Sequence, residues 1–443
     1  MMSRMSEPTK LNEVLPRPPI SRLTRPIRRF LQIESASGLI LAVCTVVALA
    51  VANSAWAQAA HDFWETHLRI GVGRFDLDYS LHFWVNDALM TLFFFVVGLE
   101  IKRELVAGEL SSVRKAMLPV IAAAGGMVVP AVVYLALQFG KPGERGWGVP
   151  MATDIAFVVG VLALLGRRVP FGLKIFLLSL AIVDDIGAIL VIAVAYSGGT
   201  DFAALAAAAA GLGLCYALNR LGVRTVGIYV LVGAGVWLAT LKSGVHPTIA
   251  GVMLGVLTPS SAWIGSQTLA DALSSALGRV QTTGADRDDL EHVEFAAREA
   301  SSPLERLVHG LHPWVGFGIM PVFALANAGV AVRLGDLSNP IALAVALGLV
   351  LGKPVGIVGF GGLAVRLRLV ELPTGVNWTA LIGAGCLSGI GFTMSLFVAG
   401  LAFTDPTLLD AAKVGILLGS AVSASVGTGL LLIGLPRPER GQG

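Results

Sequence analysis

The sequence predicts an all-α polytopic membrane protein of about twelve transmembrane helices, with a small external β-hairpin. Three observations carry this. Of the 443 residues, 55% are hydrophobic and only 14% are charged, where a soluble domain carries roughly 25% charged residues. Apolar stretches of about 20 residues, the length that crosses a bilayer core, recur from Ala36 almost to the C-terminus. Lysine and arginine gather in alternate connections, which fixes a cytoplasmic side.

The twelve stretches run approximately over 36–56, 84–105, 115–138, 148–166, 171–196, 202–219, 225–241, 245–258, 311–332, 339–363, 377–401 and 408–433, the eighth being short. They divide the chain into an N-terminal tail (1–35), spans 1–8 (36–258), a long cytoplasmic loop (259–308), spans 9–12 (309–434) and a C-terminal tail (435–443). Arg17, Arg22, Arg25, Arg28 and Arg29 before the first span match Lys102, Arg103, Arg167, Arg168, Arg220, Arg224, Arg437 and Arg440 on the inside, against Arg69, Arg74, Lys141 and Arg333 outside. An even number of spans then leaves both termini cytoplasmic, in a bacterial inner membrane. The stretch before Phe30 has no apolar core, so it reads as a tail and not as a signal peptide.

Two pieces lie outside the membrane. Residues 69–81 alternate apolar and polar side chains around Gly71 and Gly73, the pattern of a hairpin. Within 259–308, Asp288–Ala300 is charged enough for an amphipathic helix, although a solvated linker is the plainer reading. A net charge of +3 does not suggest nucleic-acid binding. Cys44, Cys215 and Cys386 all sit in apolar stretches and read as free thiols, not as a disulfide or zinc framework. No cofactor is expected.

Charges inside the bilayer cost a few kcal/mol each, so they mark function or a paired structural role. They are few here: Asp87 and Glu100 in span 2, Asp154 in span 4, Asp184 and Asp185 in span 5, and Lys353 in span 10. The adjacent acids Asp184 and Asp185 are the strongest signal. Neighbours on a helix point about 100° apart, so one can face a cavity while the other meets a neighbouring helix. Two carboxylates in a low dielectric repel, and either a proton or a sodium ion relieves the repulsion. Competition of two cations for the same oxygens is the chemistry of an exchanger. The alternative is a packing salt bridge to Lys353.

Pro150, Thr153 and Asp154 favour a break in span 4, and Gly389, Gly391 and Thr393 invite a second in span 11. Broken helices in corresponding halves, here spans 3–5 and 10–12, point to a transporter site built on an inverted repeat. The half-helix ends carry partial charges, which Asp154 and Lys353 are placed to offset. Glu100 and Glu104 lie in GLEIKREL at the inner end of span 2, ordinarily a solvated helix end. His246, His309 and His312 lie near span ends, where a lone histidine is more often a packing residue than a pH sensor.

Taken in order, VNDALMTLFFFVVGLEIKREL, PMATDIAFVVGVLALLG, LAIVDDIGAI, SGVHPTIAGV, LHPWVGFGIMPVFALANAGV, LGKPVG and SGIGFTMSLF resemble the NhaA-type sodium/proton antiporters, from about Ala36 to Gly434. The resemblance implies two discontinuous helices, the fourth and eleventh, crossing near the midplane. It implies Asp185 as the main ion-binding carboxylate, with Asp184 as partner and salt-bridged to Lys353, Thr153 and Asp154 lining the site, and Asp87 on its outer side. It implies a pH-responsive set of Glu100, Glu104, His246, His309 and His312, and a dimer contact through the hairpin. It makes the substrates Na+ (or Li+) and H+, with no enzymatic reaction. Val308, where the best-known members of that family carry Glu, and the long 259–308 loop depart from the pattern. A sodium-coupled solute symporter and, more remotely, an intramembrane aspartyl protease using Asp154 and Asp185 are the competing readings.

Overall fold

The computed structural model describes residues 34–72, 75–223, 225–284, 286–331 and 334–435. Most of the N-terminal tail with its arginines, Gly73, Arg74, Arg224, Arg333 and the C-terminal Arg437 and Arg440 lie outside the described residues. Helix dominates the rest. Among the described residues, eight helices are long and apolar enough to cross a membrane, or ten when each sharply bent pair is counted as one span.

The first helix, α1 (Glu34–Ala52), is followed by α2 (Ala57–Trp64) at 115°, so the chain turns aside where the apolar run ends. Strands β1 (His67–Val72) and β2 (Phe75–Ser80) pair antiparallel with His67 opposite Ser80 and Val72 opposite Phe75. This is the expected hairpin, begun two residues earlier than the alternation indicated. Arg69 pairs with Asp76 (2.6 Å) and His67 with Asp78 (2.8 Å) across the strands. Ser80 caps α3 (Leu81–Ala107), and the Trp84 indole donates to the Leu68 carbonyl, fastening the hairpin to the helix.

The long helix α4 (Val113–Gln138) precedes a 3-10 segment, Glu144–Met151, and α5 (Ile155–Leu165), with Ala152–Asp154 non-helical between them. Then come α6 (Phe171–Ala195), α7 (Phe202–Arg220), and two shorter apolar helices, α8 (Val226–Lys242) and α9 (Thr248–Leu257). Segment 259–308, whose plainer reading is a solvated linker and whose other reading places one amphipathic helix at Asp288–Ala300, holds two helices, α10 (Ser266–Thr283) and α11 (Arg287–Glu299). Arg279 and Asp289 join them at 2.9 Å. The sequence signal of α10 is weak because its apolar residues are diluted by Ser, Thr and Gly.

The next helix, α12 (Pro303–Asn327), begins well before the limit read at 311, because Ser302 and Glu305 form a capping box ahead of Pro303. α13 (Pro340–Arg366) follows, then α14 (Trp378–Ser388) and α15 (Phe392–Ala402), bent by 43° at their junction, and finally α16 (Pro406–Gly434). Thus each non-helical break lies between long unbroken helices: α4 and α6 flank the first, α13 and α16 the second. The two sets pack through α4 against α13. Small residues make that approach possible. A Cβ on Gly352 would lie 2.7 Å from the Pro130 Cα, so only glycine fits one residue before Lys353.

Candidate functional site

The two breaks meet. The Asp154 N–H donates to the Ile390 carbonyl (2.6 Å), and the Ser395 hydroxyl donates to the Val149 carbonyl (2.7 Å). Each break frees backbone groups that an unbroken helix would satisfy, and hydrocarbon offers no water to replace them. Partners therefore come from the opposite break, which is why the crossing is polar at the centre of an apolar bundle.

Asp154 serves two helices. Its Oδ1 accepts from the Phe157 N–H (3.3 Å) at the start of α5. Its Oδ2 accepts from the Thr393 N–H (3.0 Å) and the Thr393 hydroxyl at the start of α15. One carboxylate thus faces two helix N-termini, as its position after Pro150 suggested.

Asp184 lies 3% exposed on α6. Its Oδ2 accepts from the Lys353 ammonium and from the Thr153 hydroxyl (2.6 Å), while Oδ1 is buried with no hydrogen-bond partner among the described residues. Lys353 is fully buried. Its ammonium donates to Asp184; at the end of α14 the Ser388 carbonyl accepts from the Thr153 hydroxyl at 2.8 Å. That hydroxyl has one proton and two acceptors, so Asp184 and the Ser388 carbonyl compete for it.

Asp185, the next residue on α6, is equally buried, yet its carboxylate accepts no hydrogen bond from the described residues. The charges at the crossing can be weighed. Three carboxylates stand against one ammonium. Two helix N-termini, each worth roughly half a charge, face Asp154, and Lys353 faces Asp184. Asp185 has no hydrogen-bonding or ion-pairing partner of its own among the described residues and shares the one ammonium only at a distance, so one negative charge is left over, and an uncompensated buried charge costs several kcal/mol. A cation or a proton removes that cost.

The remaining predicted residues fall into two separate groups. Asp87 lies on a π-helical stretch of α3, Trp84–Leu89, with the His246 Nε2 at 3.6 Å. The other His246 nitrogen, Nδ1, lies 2.8 Å from the Thr248 hydroxyl. Glu100 and Glu104 are at the far end of α3, about 20 Å away at roughly 1.5 Å rise per residue. Glu100 is 4.0 Å from His312, while Glu104 accepts from the Glu109 N–H (3.0 Å) and so secures the turn after the helix. His246 therefore keeps company with Asp87 and not with His309 and His312, which are exposed. Val308 packs against Leu99 and Leu304 in a small apolar cluster, beside the acid-and-histidine group but not in it.

Sequence reading missed the part played by Ser388, whose carbonyl meets Thr153, and by Ser420 on α16, whose hydroxyl oxygen lies 3.2 Å from the N–H groups of both Gly391 and Phe392. A serine in an apolar helix gives little warning, since it usually bonds back to its own helix.

A family model described as Na+/H+ antiporter 1 matches residues 28–431. The chain belongs to this antiporter family. Among curated relatives, the Na(+)/H(+) antiporter NhaA of Rhodopirellula baltica is 51% identical, with 96% of this chain and 98% of that protein covered. The Na(+)/H(+) antiporter NhaA 2 of Acidiphilium cryptum is 51% identical over 96% of this chain and 95% of its own length. That of Rhizobium meliloti is 47% identical over 96% and 98%. The family match at residues 28–431 takes in both halves of the crossing and the 259–308 region between them.

Proposed function

We propose that this antiporter exchanges sodium, and by the same chemistry lithium, for protons at Asp185, with Asp184 as the second carboxylate. The charge balance of the crossing supports the assignment: Asp185 is the buried acid with neither a hydrogen bond nor a cationic partner among the described residues. Sodium needs oxygen ligands, and both Asp185 oxygens, the free Asp184 Oδ1, the Thr153 hydroxyl and the Ser388 carbonyl are the candidates within this cluster. When sodium binds, the proton on Asp185 leaves. When a second proton also leaves, from the Lys353 ammonium that pairs with Asp184, one sodium exchanges for two protons and transport carries net charge. Access alternates from side to side by movement of the two broken helices relative to the helices around them.

The protein acts in the bacterial cytoplasmic membrane with both termini inside, as a homodimer joined through the β-hairpin. Glu100, Glu104, His309 and His312 respond to cytoplasmic pH, and Asp87 with His246 lies toward the outer side. An aspartyl protease is disfavoured because Asp154 is committed to capping two helices, and an acid that shares a proton in a protease dyad is not so engaged.

The test is proton movement on sodium addition to vesicles holding the purified protein. Asp185→Asn is expected to abolish it while the protein still inserts and melts cooperatively; normal exchange by that variant overturns the assignment. A valinomycin–potassium clamp is expected to change the wild-type rate, and a rate indifferent to voltage indicates one-for-one exchange.

A further inference from the structure

Hydroxyls on the membrane helices here mostly bond back to their own helix. Thr45 donates to the Leu41 carbonyl, Thr240 to Val236 and Ser425 to Ala421, each four residues earlier. Such bonds satisfy the hydroxyl and do little else. Ser420 is different. It is 6% exposed on α16, and its Oγ accepts from the N–H groups of Gly391 and Phe392, both at 3.2 Å. A side chain from one helix thus caps the N-terminus of another, thirty residues before it in the chain to within a turn.

The start of α15 has three N–H groups to satisfy at the crossing, and they are shared out: Gly391 and Phe392 to Ser420, Thr393 to Asp154. We infer that Ser420 is a positioning residue for sodium/proton exchange, setting the field of the α15 N-terminus and keeping Asp154, which already accepts from three donors, free of a fourth and fifth. This rests on the crossing being the transport centre. Without Ser420, two uncapped N–H groups leave more positive potential beside the carboxylates. Sodium and protons are both cations, so both bind more weakly. The two effects have a joint signature: the sodium KM rises, and the acid limit at which protons outcompete sodium moves to lower pH.

The experiment compares Ser420→Ala, Ser420→Thr and Ser425→Ala with the full-length protein in vesicles. Ser425 is an exposed control on the same helix whose hydroxyl bonds only to Ala421. Ser420→Ala is expected to raise the sodium KM roughly threefold to tenfold, with kcat within about twofold, and to displace the acid limb downward. Ser420→Thr, which keeps the hydroxyl, is expected to restore both, and Ser425→Ala to match the parent. Unchanged KM and pH profile in Ser420→Ala overturn the inference. So does a fall in kcat and melting temperature with KM and pH midpoint in place, since that is a packing defect. Running Asp185→Asn beside them separates the two levels: exchange by Asp185→Asn sinks the site itself, whereas its silence with a normal Ser420→Ala sinks only the role of Ser420.

Discussion

The ion pair at the crossing and those of the β-hairpin use the same chemical groups and differ in what surrounds them. Lys353 and Asp184 meet where both side chains are almost wholly buried. Arg69 and Asp76 meet at 2.6 Å with side chains 70% and 39% exposed. Water screens the second pair and is ready to solvate either partner alone, so its loss is cheap. Nothing solvates a lone ammonium between α4, α6 and α13. Between these limits stands Glu299, itself 2% exposed, with Arg306 at 3.4 Å and more exposed. The lesson is that distance does not rank these contacts; the fate of the abandoned partner does.

The largest effect is expected at the buried pair. Lys353→Ala strands Asp184 beside Asp185 and is expected to lower stability by about 3–5 kcal/mol, read as a large fall in melting temperature in detergent. The double variant Asp184→Asn with Lys353→Met removes both charges and is expected to recover most of that loss. An unchanged melting temperature in Lys353→Ala breaks the comparison, because it means the bundle hydrates the site.

Glu299 gives a smaller and more local effect. Its backbone carbonyl accepts from the N–H groups of Trp263 and Ile264, and its side chain reaches Arg306 on α12, so it holds the α10–α11 pair to the membrane body. Glu299→Gln keeps the shape and drops the charge. It is expected to loosen the segment by on the order of 1 kcal/mol, seen as faster tryptic cleavage within 259–300 at unaltered exchange. Cleavage at the parental rate places this pair with the exposed ones.

The smallest effect belongs to the hairpin. The Arg69 hydrogen bond holds the Asp76 carboxyl below its ordinary range. A carboxylate with a depressed folded pKa contributes stability at neutral pH and loses it as pH falls through the folded value. The pair should therefore stabilise the strands at pH 7, fade in acid below the usual carboxylate range, and weaken in high salt. NMR titration of Asp76 in Arg69→Gln should return its midpoint to the ordinary carboxylate range, with the melting temperature unmoved. A midpoint that stays low assigns the shift to some other partner.

Much of the fold was legible because the bilayer imposes a simple code. The apolar runs gave the spanning helices, Pro150 and Gly389–Gly391 marked the breaks, and the rarity of charge singled out Asp154, Asp184, Asp185 and Lys353. Where water is the solvent the code weakens: α10 was hidden, and α12 starts earlier than its apolar run because a capping box, not hydropathy, sets that end. The acid-and-histidine set was legible as residues but not as a group, since nothing in the chain tells that His246 stands by Asp87 at one end of α3 and His312 by Glu100 at the other.

By itself the sequence determined that this chain is a helical membrane protein with a few buried charges, because the cost of charge in hydrocarbon acts on each residue wherever it packs. Only the tertiary structure decided which charges compensate one another. Asp184 and Asp185 are identical neighbours in the sequence, and the difference between them is that Lys353 and Thr153, from α13 and the first break, reach one and not the other. Electrostatic compensation depends on distances of a few ångströms between residues far apart in the chain, and packing alone sets those distances.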